Sequence, residues 1–256
     1  MNLADALSRL VGDLRTSVLF STRLPLGRPA LIEPAAVARA CWAWPLAGTL
    51  VGGIGAAVYW ATATAGVPTL GAAGIAVAAT LLATGCLHED GLADTSDGFG
   101  GATSRERKLV IMSDSRIGAY GTCALTISLL LRIAAIASLG DPLLVVPVLI
   151  AAHTAARASM PVLMLLAPPA RSEGLSAGAG HPPVFAVVIA VLLGMLGLVA
   201  GLGVRPGVIA ILLIASAVAF MRWLCLQQIG GQTGDVLGAL EQICEILVLL
   251  VASALI

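Results

Sequence analysis

The sequence predicts an all-helical polytopic membrane protein with about seven transmembrane helices and an N-terminal amphipathic helix at the membrane surface. Hydrophobic residues make up 59% of the 256 residues and charged residues only 11%, unlike the balance of a soluble domain. The apolar residues also fall into runs of about 20, the length needed to cross the hydrocarbon core. We therefore expect residues 1–256 to form a single integral membrane domain.

The N-terminal segment 1–40 is expected to lie on the cytoplasmic surface of the membrane. Within it, residues 3–19 place leucines and a valine on one helical stripe, opposite Arg9 and Asp13. The members of the apolar stripe are Leu3, Leu7, Leu10, Leu14 and Val18. A helix of this kind lies flat at the interface with its apolar stripe toward the lipid.

The spans follow from the apolar runs, and their orientation follows from the basic residues. The runs are 42–62, 69–87, 118–139, 142–166, 183–203, 206–229 and 236–256. Basic residues cluster before the first run, between the second and third, and after the fourth: Arg9, Arg15, Arg23, Arg28 and Arg39; Arg105, Arg107, Lys108 and Arg116; Arg171. An even number of spans separates these clusters, so they share one side. The positive-inside rule makes that side the cytoplasm.

An acidic segment begins where an uncharged stretch, residues 40–87, ends. It contains Glu89, Asp90, Asp94 and Asp97. In a helix the three aspartates project from one face, and two carboxylates about 4 Å apart repel by roughly 4 kcal/mol at an effective dielectric near 20. A cation would remove this repulsion, and hard oxygen ligands suit Mg²⁺, which commonly serves a phosphate-bearing substrate. We therefore expect the cytoplasmic segment 88–117 to be catalytic.

The residues that follow extend this candidate site. A glycine turn leads to a short basic helix, whose Arg105, Arg107 and Lys108 we expect to lie in solvent. If the chain then folds back, Asp114 becomes a fourth metal ligand beside Asp90, Asp94 and Asp97. Arg116 is then placed to hold a phosphate oxygen through charge-assisted hydrogen bonds.

Charged residues inside the apolar runs are costly and commonly mark function. His153 and Arg157 share a helical face in the fourth run. Two alternatives stay open for Arg157: it reaches a substrate phosphate, or it forms a buried pair with Glu241 or Glu245. Arg132 and Arg222 are expected to partner buried carboxylates or carbonyl groups.

The motifs of this chain resemble those of one family, cobalamin synthase (adenosylcobinamide-GDP ribazoletransferase). The acidic pattern consists of His88, Asp90, Gly91, Leu92, Ala93, Asp94, Asp97 and Gly98, followed by Ile111, Met112, Asp114, Ser115, Arg116 and Gly118. Segments 20–25, 170–175 and 230–239, with Glu241 and Glu245, resemble the family's other motifs. The resemblance therefore extends over nearly the whole chain.

The resemblance implies a reaction, a metal and further site residues. Adenosylcobinamide-GDP and α-ribazole, or its 5′-phosphate, would give adenosylcobalamin, or its phosphate, and GMP, with Mg²⁺ as the metal. A ribose hydroxyl would attack the phosphorus next to cobinamide, and either a carboxylate such as Asp94 or Asp97, or His88, would accept the proton. Arg171, Thr233 and Asp235 would contact substrate. The enzyme would be a multi-pass protein of the bacterial or archaeal inner membrane, with its site facing the cytoplasm.

Several alternatives stay open. The acidic motif also resembles that of CDP-alcohol phosphotransferases, although Gly118 stands where that pattern has a second aspartate. A transporter coupled to cations is a third hypothesis, from a different class. The lipid bilayer and the two substrates are the expected partners, and nucleic acid is not. Self-association, association with other enzymes of the pathway, and a choice between one and two metal ions are left open.

Overall fold

The computed structural model describes residues 3–25, 33–172 and 178–256, and these are helical apart from short connections. The helices are α1 (Leu3–Ser21), α2 (Pro34–Arg39), α3 (Trp44–Thr64), α4 (Thr69–Thr84), α5 (Leu87–Gly101), α6 (Arg105–Ile111), α7 (Ala119–Leu139), α8 (Pro142–Leu166), α9 (Val184–Leu202), α10 (Val204–Ile229) and α11 (Gly234–Leu255). A short 3₁₀ turn joins α2 to α3. Arg28 and residues 173–175 of the sequence motifs lie outside the described residues.

The all-helical polytopic fold predicted from the sequence is confirmed. In the described part of the chain, six helices are long and apolar enough to cross a membrane, or seven if α4 and α5 count as one bent span. These two helices meet at 89°. Gly85 (φ 65°) and Cys86 (φ 59°) adopt the left-handed conformation in succession, which ends α4 and redirects the chain. The polar helix α5 therefore turns away from the direction of the span.

The polar connections gather at one end of the bundle, which confirms the expectation that they share a side. The amide of Arg23 donates to the carbonyl oxygen of Ala83 at the end of α4 (2.7 Å). The Arg105 side chain donates to the carbonyl oxygens of Ile229 (2.7 Å) and Ala170 (2.8 Å). At the other end, Tyr59 donates to the carbonyl oxygen of Gly140 (2.9 Å). We call the first end the polar end; that it faces the cytoplasm stays a prediction.

Helix α1 packs on the bundle through polar side chains rather than through its apolar stripe. The buried carboxylate of Asp13 accepts hydrogen bonds from Arg39 Nε and Trp42 Nε1, both at 3.1 Å. Leu7 and Leu10 are exposed. These two residues of the apolar stripe are therefore free to face lipid, and the location of α1 at the membrane surface stays a prediction.

Small residues allow the helices around the polar end to cross at close range. A Cβ atom at Gly52 of α3 would lie 2.6 Å from the Leu149 carbonyl oxygen of α8. A Cβ atom at Gly91 of α5 would lie 2.7 Å from the carbonyl oxygen of Asp235, and Gly238 packs against Gly91. The backbone of α5 therefore lies directly on the first turns of α11, which brings Asp235 beside the acidic helix.

Candidate active site

The acidic segment forms helix α5, as the sequence predicts, and its three aspartates differ in burial. Asp90 is exposed, Asp94 is half-buried and Asp97 is buried. Their spacing of four and three residues places them along one side of the helix. The three carboxylates therefore share one side of the helix but differ in their access to solvent.

The side chain of Asp97, on α5, contacts the start of α7. Its two carboxylate oxygens accept hydrogen bonds from the backbone amides of Gly118 (2.7 Å) and Gly121 (2.9 Å). A Cβ atom at either glycine would collide with this carboxylate. A negative charge at a helix N-terminus is also favoured by the helix dipole. Asp97 thus fixes α7 to α5, and its roles as metal ligand and catalytic residue stay predictions.

Asp90 and Asp94 have free carboxylates. Neither makes a side-chain hydrogen bond or an ion pair with any described residue. Asp94 lies close enough to the carboxylates of Asp90, Asp235 and Asp97 for their charges to act on it, and the positive charge of Arg171 opposes them. This is the electrostatic arrangement for which the sequence predicts a cation.

Two connecting segments bring Arg171 and Asp235 to this cluster. The amide of Ala170 donates to the Gln232 carbonyl oxygen, and the amide of Gln232 donates to that of Pro168, both at 2.8 Å. Arg171 then lies 3.9 Å from the Asp235 carboxylate. Thr233 caps α11 by accepting a hydrogen bond from the Val236 amide (3.3 Å), and its hydroxyl also contacts Asp235 (3.2 Å). Arg171, Thr233 and Asp235 are thus neighbours of the acidic helix.

The chain after α6 folds back toward α5, as the sequence predicts. Asp114 lines the same cavity as Asp90 and Asp94, which has a volume of about 510 Å³; we call it the acidic cavity. Arg116 does not point freely into it, because its guanidinium is bonded to the Asp114 carboxylate (2.6 Å). These hydrogen bonds lower the pKa of Asp114 from its ordinary value to about 2. The ligand role of Asp114 and the phosphate-binding role of Arg116 stay predictions.

A buried network of charges lies below the acidic cavity. Arg132 bridges Glu89 (2.9 Å) and Glu245 (2.8 Å), as expected for an arginine inside a span. Arg157 pairs with Glu241 (2.7 Å), so the buried pair is the alternative that the structure shows. The network links α5, α7, α8 and α11 beneath the acidic cavity.

Two histidines complete this network. Nδ1 of His88 lies 3.5 Å from Glu241, and Nδ1 of His153 lies 3.2 Å from Glu245. Among the described residues, His153, Glu241 and Glu245 are the only three acidic or metal-ligating side chains whose ligand atoms lie within 4.8 Å of one another. Arg132 and Arg157 already neutralise both carboxylates, so we interpret the group as an ion-pair network. The catalytic role of His88 stays a prediction.

Of the basic residues of α6, Arg105 and Arg107 are exposed, as expected, whereas Lys108 is not. Lys108 is buried and donates to the side chain of Gln228. Arg105 binds the last carbonyl group of α10, at Ile229. The physical reason is that carbonyl groups at a helix C-terminus lack partners within the helix and attract cations. The same principle explains Arg222, which donates to the Leu166 carbonyl oxygen (2.9 Å) at the end of α8, as expected.

Other residues of the site were not recognised from the sequence. Glu89 lies off the aspartate face, so the aspartate spacing gives it no role, yet its pairing with Arg132 links α5 to α7. The need for buried arginines to find carboxylates is the signal that could have found it. The rings of Phe20 and Trp44 stack with centroids 6.0 Å apart. The sequence does not predict this pair, because only the fold brings the two rings together.

The fold and the site together define a class: a multi-pass helical membrane protein with a cavity lined by free carboxylates at one end of its bundle. The family model described as cobalamin-5-phosphate synthase matches residues 13–253. The chain belongs to this family, which confirms the resemblance seen in its motifs.

Curated relatives align with nearly the whole chain. A protein of Bradyrhizobium diazoefficiens is 50% identical over 250 residues, covering 98% of this chain and 96% of the relative. One of Mesorhizobium japonicum is 48% identical and covers the same shares, and one of Azorhizobium caulinodans is 45% identical, covering 93% and 94%. All three are named adenosylcobinamide-GDP ribazoletransferase. No solved structure matches the chain.

Proposed function

We propose that this protein is an adenosylcobinamide-GDP ribazoletransferase that depends on Mg²⁺. It would join α-ribazole, or its 5′-phosphate, to adenosylcobinamide-GDP, giving adenosylcobalamin, or its phosphate, and GMP. Family membership and the names of full-length relatives support this reaction. The structural observation that carries it is the pair of free carboxylates, Asp90 and Asp94, in a cavity beside Arg171.

The chemistry exchanges a phosphoanhydride bond of the diphosphate for a phosphate ester bond to the ribose. A ribose hydroxyl of the ribazole forms a bond to the phosphorus next to cobinamide, the bond from that phosphorus to the bridging oxygen breaks, and GMP leaves with this oxygen. The hydroxyl proton passes to a side chain or to water. Positioning and neutralisation of charge account for most of the catalysis in such transfers.

The donor set of the acidic cavity fits a magnesium ion. Mg²⁺ usually takes one or two protein carboxylates and completes its shell with water and substrate phosphates. Asp90 and Asp94 would hold it, since both have oxygens without partners, with Asp114 and Asp235 as further candidates. When bound, the ion would neutralise charge on the diphosphate and on the departing GMP.

Other residues would position the substrate. Arg171 lies 3.9 Å from the Asp235 carboxylate, with its charge acting on Asp94 as well, and it would bind a phosphate oxygen by charge-assisted hydrogen bonds. Arg116 would do so after releasing Asp114. Asp97 would hold α5 against α7 through Gly118 and Gly121. The carboxylates of Asp90 and Asp94 on α5 would then keep their positions. We place this cavity at the cytoplasmic face of the inner membrane, on the basis of the basic residues around it.

The test is a reaction with defined components in detergent. The proposal expects GMP release only when the protein, adenosylcobinamide-GDP, α-ribazole and Mg²⁺ are all present. Transfer from CDP-diacylglycerol would support a phospholipid enzyme instead. Uptake of an ion-coupled solute into vesicles without bond cleavage would support a transporter.

A further inference from the structure

A second cavity of about 300 Å³ lies beside the acidic one and has the opposite character. Its apolar wall consists of Phe20 from α1, Val37 from α2, Trp44 from α3, and Met160 and Met164 from α8. We call it the aromatic cavity. Its volume is at the lower end of the range typical of sites for small ligands.

The lining of this cavity is suited to a flat, polarisable ring. The rings of Phe20 and Trp44 lie 29° from parallel, and aromatic faces stack on heteroaromatic rings in offset arrangements. Met160 and Met164 add flexible thioethers, which make favourable contacts with aromatic rings. The charged residues that line the cavity, Asp90 and Asp235, come from α5 and α11 rather than from this wall. The shape and the chemistry of this wall therefore suit a planar heteroaromatic ring.

The aromatic cavity and the acidic cavity meet at Asp90. Both are lined by residues of α5, and Asp90 lines each of them. His88 and Asp235 also line the aromatic cavity. A ligand whose ring lay against the apolar wall would therefore direct its polar part toward Asp90, the carboxylate that lines both cavities.

We propose that the aromatic cavity binds the heteroaromatic base of the ribazole, while the diphosphate of the other substrate occupies the acidic cavity. This inference rests on the proposed function and assigns a separate subsite to each reactant. The ribose then lies at Asp90, between the two cavities, so that its hydroxyl meets the phosphorus. His88 lines the aromatic cavity, so it lies on the same side of the site as the ribose. Its Nδ1 faces Glu241, and its Nε2 has no partner among the described residues.

In this arrangement, Met164 is a determinant of the specificity for the base. It lies on α8 rather than on the helices that carry the carboxylates, and its side chain lines the aromatic cavity. Met164→Ala is expected to raise the KM for α-ribazole about tenfold, the lower end of the change for removing apolar contacts from a substrate pocket. The KM for adenosylcobinamide-GDP should stay within twofold of that of the unmodified protein.

The experiment measures both KM values, and separately the binding of α-ribazole alone by calorimetry. The matched control is Met195→Ala on α9, because Met195 is exposed and lines neither cavity. A ribazole with a larger, naphthalene-like base is also compared with the natural substrate. Met164→Ala should favour the larger base at least tenfold more than the unmodified protein does, a gain that misfolding cannot produce.

The outcomes separate this inference from the proposed function. If the unmodified protein releases no GMP, the proposed function fails. Calorimetry with α-ribazole alone then still tests whether the aromatic cavity binds the base. Weaker binding of α-ribazole to Met164→Ala, with a shift toward the larger base, supports the inference. Equal changes in both KM values, or an unchanged preference between the two bases, would overturn it.

Discussion

Gly91 of α5 and Asp235 of α11 are in contact so close that a Cβ atom on the glycine would lie 2.7 Å from the Asp235 carbonyl oxygen. This contact sets the distance between the acidic helix and the start of the last span. It places Asp235 near Asp94, and it lets one residue, Asp90, line two cavities. The geometry of the site thus depends on the absence of a side chain.

Gly91→Ala is expected to lower turnover about 100-fold, because displacing reacting groups by about 1 Å can cost this much. The measurement is the rate of GMP release in detergent. Gly74→Ala is the control, since Gly74 lies in helix α4 with nothing within 4 Å of its Cβ position. Turnover by Gly91→Ala within twofold of that control would show that the contact does not position the site.

Asp94→Asn is expected to abolish GMP release while the folded protein remains in the membrane. The carboxylate makes no side-chain hydrogen bond or ion pair with a described residue, so its loss breaks no structural contact. Glu106→Gln, which removes one exposed charge at the same end, should leave the rate unchanged. Near-normal rates in Asp94→Asn would count heavily against the proposed site.

Removal of divalent metal should stop the reaction reversibly. A chelator is expected to abolish GMP release, and added Mg²⁺ should restore it, because the free carboxylates of Asp90 and Asp94 repel each other unless a cation is bound. Asp90→Asn should raise the Mg²⁺ concentration needed for half-maximal rate. Full activity in the presence of chelator would contradict the proposed metal dependence.

Asp97→Asn should destabilise the protein, unlike Asp94→Asn. An asparagine has one carbonyl oxygen and carries no charge, so it cannot reproduce the two bonds to Gly118 and Gly121. We expect a loss of about 1.5–3 kcal/mol in the free energy of unfolding, the value of a hydrogen bond to a charged group. Denaturant titration of the detergent-solubilised protein measures it. Equal stability of the two variants would mean that Asp97 does not anchor α7.

The sequence predicts the fold well because hydropathy and helix length are local properties. Every predicted span corresponds to a helix, and the acidic helix appears where the aspartate spacing places it. What the sequence could not predict depends on long-range contacts. The partners of Asp97 lie 21 and 24 residues away along the chain, and the aromatic cavity takes residues from six helices and a connection. Burial likewise decides that Arg157 pairs with Glu241, which spacing alone leaves open.

The pair formed by Arg157 and Glu241 offers a test of the buried network. Arg157→Leu alone leaves the Glu241 carboxylate buried without its guanidinium, and removing one partner of a buried ion pair typically costs about 3–5 kcal/mol. Changing both residues to leucine should recover much of this loss, because no uncompensated charge then remains from the pair. Unfolding free energies of the two single variants and the double variant measure the coupling. Additive losses would mean that the two side chains act independently, and the network could not then be what holds α8 and α11 beneath the acidic cavity.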